Sequence, residues 1–193
     1  MKRMRWWLLL FVLIVGGFLG AGAVVGSVFA YRDTSTDAFC TSCHSMQFVA
    51  NDPLFIHSAH HSNAVGVQPS CGDCHIRRAN WFLETYDHVT SGVRDVVAEY
   101  THNYSDPQVW GRRRIELAHE VRATMRKQDS VTCRSCHDAA TIQPASQRGQ
   151  AAHALMREGR MTCIDCHFNL VHAPVPPTMA FIRGSGISGA AKQ

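Results

Sequence analysis

The sequence carries almost no net charge beyond its first five residues. Its formal net charge is +4 over 193 residues, and Lys2, Arg3 and Arg5 supply three of those four charges. The remainder lacks the excess of lysine and arginine that a nucleic-acid-binding surface requires, so we exclude nucleic acid as a partner. It also lacks the alternation of apolar and polar residues that is typical of β-strands, which favours a mainly α fold.

Charged residues are absent from Trp6 to Tyr31, and this stretch predicts a membrane anchor. A transmembrane helix needs about 20 apolar residues, and the cationic residues before Trp6 predict a cytoplasmic N-terminus and an external remainder. We therefore expect a cytoplasmic stub and a single membrane span in residues 1–31 of a bacterial inner-membrane protein. A cleaved signal peptide is the alternative, because small residues at 21–23 resemble a cleavage site. The apolar stretch is longer than the about 7–15 residues of a signal peptide.

None of the eight cysteines stands alone in the sequence. They form four C-x-x-C pairs, each followed at once by histidine: C-T-S-C-H at 40–44, C-G-D-C-H at 71–75, C-R-S-C-H at 133–137 and C-I-D-C-H at 163–167. C-x-x-C-H is the attachment motif of c-type haem. Zinc sites and thioredoxin-like sites do not explain the adjacent histidines or the fourfold repetition. We therefore predict four covalently attached haem c groups, held by Cys40, Cys43, Cys71, Cys74, Cys133, Cys136, Cys163 and Cys166.

Helical periodicity dominates the sequence after the anchor. Apolar residues recur at helical spacing over 80–104, and Asp106 followed by Pro107 predicts the start of a second helix that ends near residue 127. A third helix is expected over 146–158, ended by Gly159. The predicted fold is mainly α with little or no strand. It comprises the membrane helix, a small periplasmic tetrahaem cytochrome domain over 32–175 and an irregular tail over 176–193.

Two of the motifs extend beyond C-x-x-C-H. The first continues as C-T-S-C-H-S-M at 40–46 and the fourth as C-I-D-C-H-F-N-L-V-H at 163–172. With the N-terminal anchor, they resemble the NapC/NirT family of membrane-bound tetrahaem quinol dehydrogenases. The resemblance implies oxidation of menaquinol or ubiquinol and transfer of electrons to a periplasmic reductase, mostly for nitrate or nitrite, or to a small cytochrome c. It also allows a homo-oligomer. An anchored electron relay without its own quinol site is the alternative function.

The same resemblance implies a set of iron ligands. The first iron is expected to bind Met46 in place of His44, which leaves one axial position on the first haem open. Some nitrate-linked relatives carry a histidine where this chain has Arg78, so either that position is not needed as a ligand here or the ligand set differs. The implied ligands are Met46 for the first haem, His75, His137 and His167 from the other motifs, and His60, His153 and His172 as distal ligands.

In this family an aspartate in a G-x-R-D-type segment faces the open side of the first iron. Residues 91–95 match that segment, so the resemblance makes Asp95 the candidate proton acceptor of quinol oxidation. A lysine of one relative, seven residues earlier, corresponds to His88, and this spacing places both groups on one helix face. Carboxylate and imidazole groups both accept protons. The alternatives are an ion-paired Asp95 with an exposed His88, and a quinol site around His57 and His61.

Overall fold

A polar side chain caps the first turn of each long helix in the part of the chain after the anchor. The structure, a computed structural model, describes residues 2–184. Asn80, Asp106 and Ser146 each accept a backbone N–H two or three residues further on, at 2.8–3.1 Å. The first N–H groups of a helix have no acceptor within the helix, so these caps determine where each helix starts. The three predicted helix starts are confirmed.

The described residues form α-helices and contain no strand, which confirms the predicted mainly α fold. Four of the helices are long, and the others are short turns that carry or flank the cysteine motifs. In chain order they are α1 (Lys2–Thr34), α2 (Asp37–Cys40), α3 (His44–Ala50), α4 (Pro53–Ile56), α5 (Cys71–His75), α6 (Trp81–Thr101), α7 (Pro107–Lys127), α8 (Val131–Arg134), α9 (Gln147–Arg157), α10 (Cys163–Cys166) and α11 (Met179–Gly184).

The apolar N-terminal stretch is a single helix, α1. Its 33 residues extend over about 50 Å at 1.5 Å per residue, whereas the hydrocarbon core of a membrane is about 30 Å thick. Its apolar side chains are exposed, with Phe18 77% exposed, for example. By length and composition α1 can cross a membrane. It continues beyond the apolar stretch to Thr34.

α6 ends three residues before the predicted boundary at 104. The cause is His102, which adopts an extended backbone with φ −124° and ψ 144° and stacks its ring on Tyr104 at 5.2 Å. Tyr104 is buried and packs edge-on against Trp110 of α7, which in turn stacks on Phe48 of α3 at 6.3 Å. This aromatic cluster ties the helix that follows the first cysteine motif to the start of α7.

The predicted irregular tail is partly wrong, because residues Met179–Gly184 form helix α11. Phe181 of this helix is buried, and the Arg126 guanidinium of α7 lies 3.8 Å from the centre of its ring. Arg126 also donates a hydrogen bond to the Phe181 carbonyl at 2.9 Å. A sequence rich in proline and glycine becomes ordered here because a distant arginine binds it. The rest of the predicted tail, 185–193, lies outside the described residues.

Candidate functional site: the haem-attachment motifs

The first and second cysteine motifs lie side by side. Asp37, in the short helix that ends at Cys40, accepts the Cys71 backbone N–H at 2.7 Å. The side chains of Cys40 and Cys71 are close neighbours. Asp37 gives the first backbone N–H of α5 an acceptor, next to the N-cap residue Ser70. Both motifs are held in one arrangement by contacts between their own elements.

The third and fourth motifs are joined in a similar way through Ser130. Its hydroxyl accepts the Ile164 N–H at 3.1 Å and donates to Thr162 Oγ1 at 2.9 Å. Ser130 is fully buried with φ 50°, a left-handed conformation that costs energy for a residue other than glycine. The side chains of Cys133 and Cys163 lie close together beside Ser130. These bonds hold the two motifs in contact.

The second motif lies next to the third. Helices α5 and α8 are in contact, and the charge of Cys136 contributes to raising the pKa of Cys74, after the larger effect of burial. The four motifs therefore follow one another in space in the same order as in the sequence. Cofactors attached at consecutive motifs form a chain of neighbours, which is the arrangement that electron transfer along a protein requires.

Three histidine pairs face each other across the motifs. The ring centroids are 6.1 Å apart for His60 and His137, and 6.2 Å apart both for His75 and His172 and for His153 and His167. Two imidazoles that bind one metal from opposite sides, with metal–nitrogen bonds of about 2.0 Å and about 1.1 Å from nitrogen to ring centre, have centroids about 6.2 Å apart. The three distances fit bis-histidine iron ligation.

The surroundings of three of these rings, those of His75, His167 and His172, favour the form that binds iron. Burial lowers the pKa of His75 to about 4, and the charge of His172 adds to this effect. Burial also lowers the pKa values of His167 and His172. A neutral imidazole is the metal-binding form, so the rings are ready to bind a metal at neutral pH. The donor set and its spacing fit haem c groups attached at the second, third and fourth motifs.

The first motif has a different arrangement. His44 begins α3 with an exposed side chain, and its Nδ1 lies 3.2 Å from Ser105 Oγ. Among residues 2–184, no second imidazole ring stacks against it. Met46 lies two residues further along α3 and is half-buried. The first motif thus lacks the facing pair of histidines that the other three have.

Asp95 of α6 lies close to the first motif. Its negative charge contributes to raising the pKa of Cys43, after burial and Glu99, and acts on Cys40 as well. Asp95 is exposed to solvent, yet partial desolvation by neighbouring atoms raises the pKa of its carboxyl group, Arg94 opposes this effect and Glu99 adds to it. Arg94 forms its ion pair with Glu120, at 3.9 Å. In the described part of the chain Asp95 has no ion-pair partner, so the ion-paired alternative for this carboxylate is wrong.

His88 lies where α6 meets the end of α1. Its Nε2 is 2.8 Å from Thr34 Oγ1, and its ring centre is 4.8 Å from that of Tyr31. The side chain is half-buried, and its Nδ1 is buried without a hydrogen-bond partner among the described residues. The alternative of an exposed His88 is therefore wrong. The ring stands at the point where the chain leaves the membrane-spanning helix.

Comparison with known proteins identifies the family. The model of the NapC/NirT cytochrome c family, N-terminal region, matches residues 2–178. The chain belongs to the NapC/NirT family. Members of this family transfer electrons to periplasmic reductases, and their haem c groups are covalently bound. No solved structure matches the chain.

Individual NapC/NirT relatives agree with this assignment. A probable tetraheme c-type cytochrome of Nitrosomonas europaea is 39% identical over 86% of this chain and 70% of its own length. The NapC protein of Haemophilus influenzae is 31% identical over 83% of this chain and 79% of its own length. The TorY protein of the same organism is 34% identical over 80% of the chain, which spans only 41% of TorY.

Sequence reasoning missed several polar residues around the first motif and the end of α1. Tyr31 donates a hydrogen bond to the Glu84 carboxylate, and Glu99 accepts two hydrogen bonds from Ser45. Glu84 lies four residues before His88 and Glu99 four residues after Asp95, so both share a helix face with a predicted site residue. That spacing was visible in the sequence, but the partners across the fold were not.

Proposed function

We propose that this NapC/NirT cytochrome oxidises menaquinol or ubiquinol at its first haem and passes the electrons through the other three haems to a periplasmic reductase. Nitrate and nitrite reductases are the proposed acceptors. The observation that carries the proposal is the position of Asp95, an exposed carboxylate that lies near Cys43 of the first motif and has no ion-pair partner among residues 2–184. The relay without a quinol site gives such a group no role.

The proposed axial ligands follow the facing histidines. His75 with His172 would hold the second haem, His60 with His137 the third and His153 with His167 the fourth. We assign Met46 to the first haem, with its other axial side open. When bound, each haem c supplies a one-electron redox centre, and a methionine ligand raises its potential relative to two histidines.

Quinol oxidation releases two electrons and two protons, so the chain must supply proton acceptors. We assign the first proton to the Asp95 carboxylate and the second to His88. Partial desolvation raises the pKa of Asp95, and a raised pKa brings a carboxylate closer to the range in which it accepts a proton effectively near neutral pH. Thr34 Oγ1 at 2.8 Å from Nε2 and the Tyr31 ring hold the imidazole of His88 in place.

The helix that carries both groups also exposes apolar side chains, on another of its faces. Phe82 is 76% exposed, Val89 54% and Val93 60%. All three lie on α6, the helix that carries Asp95 and His88 and that contacts Tyr31 at the end of α1. The proposed quinol site lies at the end of α1, where Tyr31 and Thr34 contact His88. This placement assumes the proposed orientation, with the N-terminus in the cytoplasm and the haem domain in the periplasm.

The experiment is to incorporate the full-length haem-loaded protein into liposomes and to mix them with menaquinol or ubiquinol. We expect haem reduction that a quinol analogue blocks, whereas reduction by a small soluble reductant continues in its presence. If quinol does not reduce the haems but a reduced partner protein does, the chain is an anchored relay. The small reductant serves as the control for intact haems in both cases.

A further inference from the structure

The helix that follows the first haem motif is capped by a residue from another helix. α3 begins at His44, and its N-cap Cys43 makes no side-chain cap hydrogen bond. The Ser45 backbone N–H donates to Glu99 Oε1 at 2.9 Å, and the Ser45 hydroxyl donates to Glu99 Oε2 at 2.8 Å. Ser45 is only 4% exposed. Glu99 lies on α6, so both oxygens of its carboxylate join α3 to α6.

This contact supplies a hydrogen-bond acceptor to the first turn of α3, which a neighbouring residue supplies in other helices. The first-turn N–H groups of a helix need acceptors from outside the helix, and a negative charge at this end is favourable. Here the acceptor comes from 54 residues away. A local cap would fix only where the helix starts. A carboxylate from α6 also fixes where α3 lies relative to α6.

The two helices joined in this way carry the proposed iron ligand and the proposed proton acceptor of the first haem. Ser45 directly precedes Met46 in α3, and Glu99 lies one helical turn after Asp95 in α6. We propose that Glu99 is the positioning residue that sets the distance between Met46 and Asp95. This inference rests on the proposed function, in which Met46 ligates the first iron and Asp95 accepts the proton.

A purely electrostatic role for Glu99 makes a different prediction. Its charge raises the pKa values of Cys43 and Asp95, in both cases after the larger effect of desolvation. Glutamine removes the charge but keeps one oxygen acceptor for the Ser45 N–H, and its amide can donate to the hydroxyl oxygen. Alanine removes both the charge and the hydrogen bonds. Comparing Glu99→Gln with Glu99→Ala therefore separates the effect of the hydrogen bonds to Ser45 from the effect of the negative charge.

The experiment uses the full-length haem-loaded protein and records the spectroscopic signature and the midpoint potential of the first haem. We expect Glu99→Ala to weaken the methionine-ligation signature and lower that potential, because methionine raises the potential relative to histidine. Ser45→Ala, which removes one of the two hydrogen bonds and is the milder change, should have the same effect to a smaller degree. Glu99→Gln should retain the wild-type signature. Glu116→Ala, an exposed partner of Arg113, is the matched control.

Quinol oxidation gives the second readout. A misplacement of about 1 Å can reduce a rate by about 10²-fold, so we expect Glu99→Ala to lose between about 10- and 10²-fold in quinol-driven reduction. An unchanged first haem in both Glu99→Ala and Ser45→Ala would overturn the inference, and so would a Glu99→Gln variant as defective as Glu99→Ala. If wild-type protein does not oxidise quinol, the proposed function fails, but the spectrum and potential still test Glu99.

Discussion

The imidazole rings of His75 and His172 face each other with their centroids 6.2 Å apart. His75 belongs to the second haem motif, whereas His172 follows the fourth motif in the sequence. The chain therefore returns from its last motif to the second one before it ends. This crossing supplies the facing histidine of the second motif, whereas His60 faces the third motif and His153 the fourth. Among the described residues no imidazole faces the first motif.

Replacing His172 with alanine should remove one axial ligand from the second haem only. We expect one haem in four to change from low spin to high spin, as measured by electron paramagnetic resonance, with all four haems still attached. His153→Ala should do the same to the fourth haem, and combining both changes should double the increase in the high-spin signal over that of the wild type, whose first haem has an open axial side. His57→Ala, which removes an exposed imidazole outside the three pairs, is the control. A double variant with the signal of a single variant would mean that both histidines serve one iron.

Helix starts were predictable from the sequence because they depend on local chemistry. Asn80, Asp106 and Ser146 each accept N–H groups within three residues, so the capping residues and the apolar periodicity sufficed. The pairing of histidines was not predictable, because it depends on how α5, α9 and the segments around the motifs pack together. The helix at Phe181 was missed for a similar reason, since Arg126 stabilises it from α7.

Met46 should determine the potential of the first haem. Met46→His replaces a ligand that raises the potential with one that lowers it, so one of the four midpoint potentials in a redox titration should fall. The other three should stay unchanged. His44→Ala provides the comparison, because His44 is exposed and has no facing imidazole among the described residues. If His44→Ala changes the ligation of the first iron and Met46→Ala does not, the assignment is reversed.

The ion pair between Arg126 and Asp165 should stabilise the fourth motif and the C-terminal segment. Arg126 Nε lies 2.5 Å from Asp165 Oδ1, and the Asp165 side chain is 4% exposed. Removing one partner of a buried pair leaves an uncompensated charge, so Arg126→Ala should lower the free energy of unfolding by about 3 kcal/mol. Glu116→Ala, which removes an exposed partner of Arg113, should cost under about 1 kcal/mol. Equal losses in guanidinium titrations of the detergent-solubilised protein would contradict this.

The rate of quinol-driven reduction should fall as the pH is lowered. Partial desolvation raises the pKa of Asp95, so its carboxylate, the proton-accepting form, is lost at a higher pH than in an ordinary aspartate. The same shift means that the fold favours the neutral form, so Asp95 stabilises the fold only below its pKa. Asp95→Asn should remove this acid limb of the rate profile and should not lower stability at neutral pH. An acid limb retained in Asp95→Asn would exclude Asp95 as its origin.

The family resemblance indicated the two proposed catalytic residues but not the residues that contact them. It singled out Asp95 and His88, but it did not reveal that Thr34 and Tyr31 contact His88, or that Glu99 links α6 to Ser45. These contacts join residues that are distant in the chain. Only the packing of α1 and α3 on α6 brings them together.

The most direct test of the account is the ratio of two reduction rates in Asp95→Asn. This change keeps the size of the side chain and removes its basic site. We expect quinol-driven reduction to fall by about 10²-fold or more, the usual scale for loss of a positioned proton acceptor. Reduction by a small artificial electron donor should remain at the wild-type rate, with four haems bound. Equal losses by both routes would give Asp95 a structural role only, and no loss by either route would contradict a quinol site at the first haem.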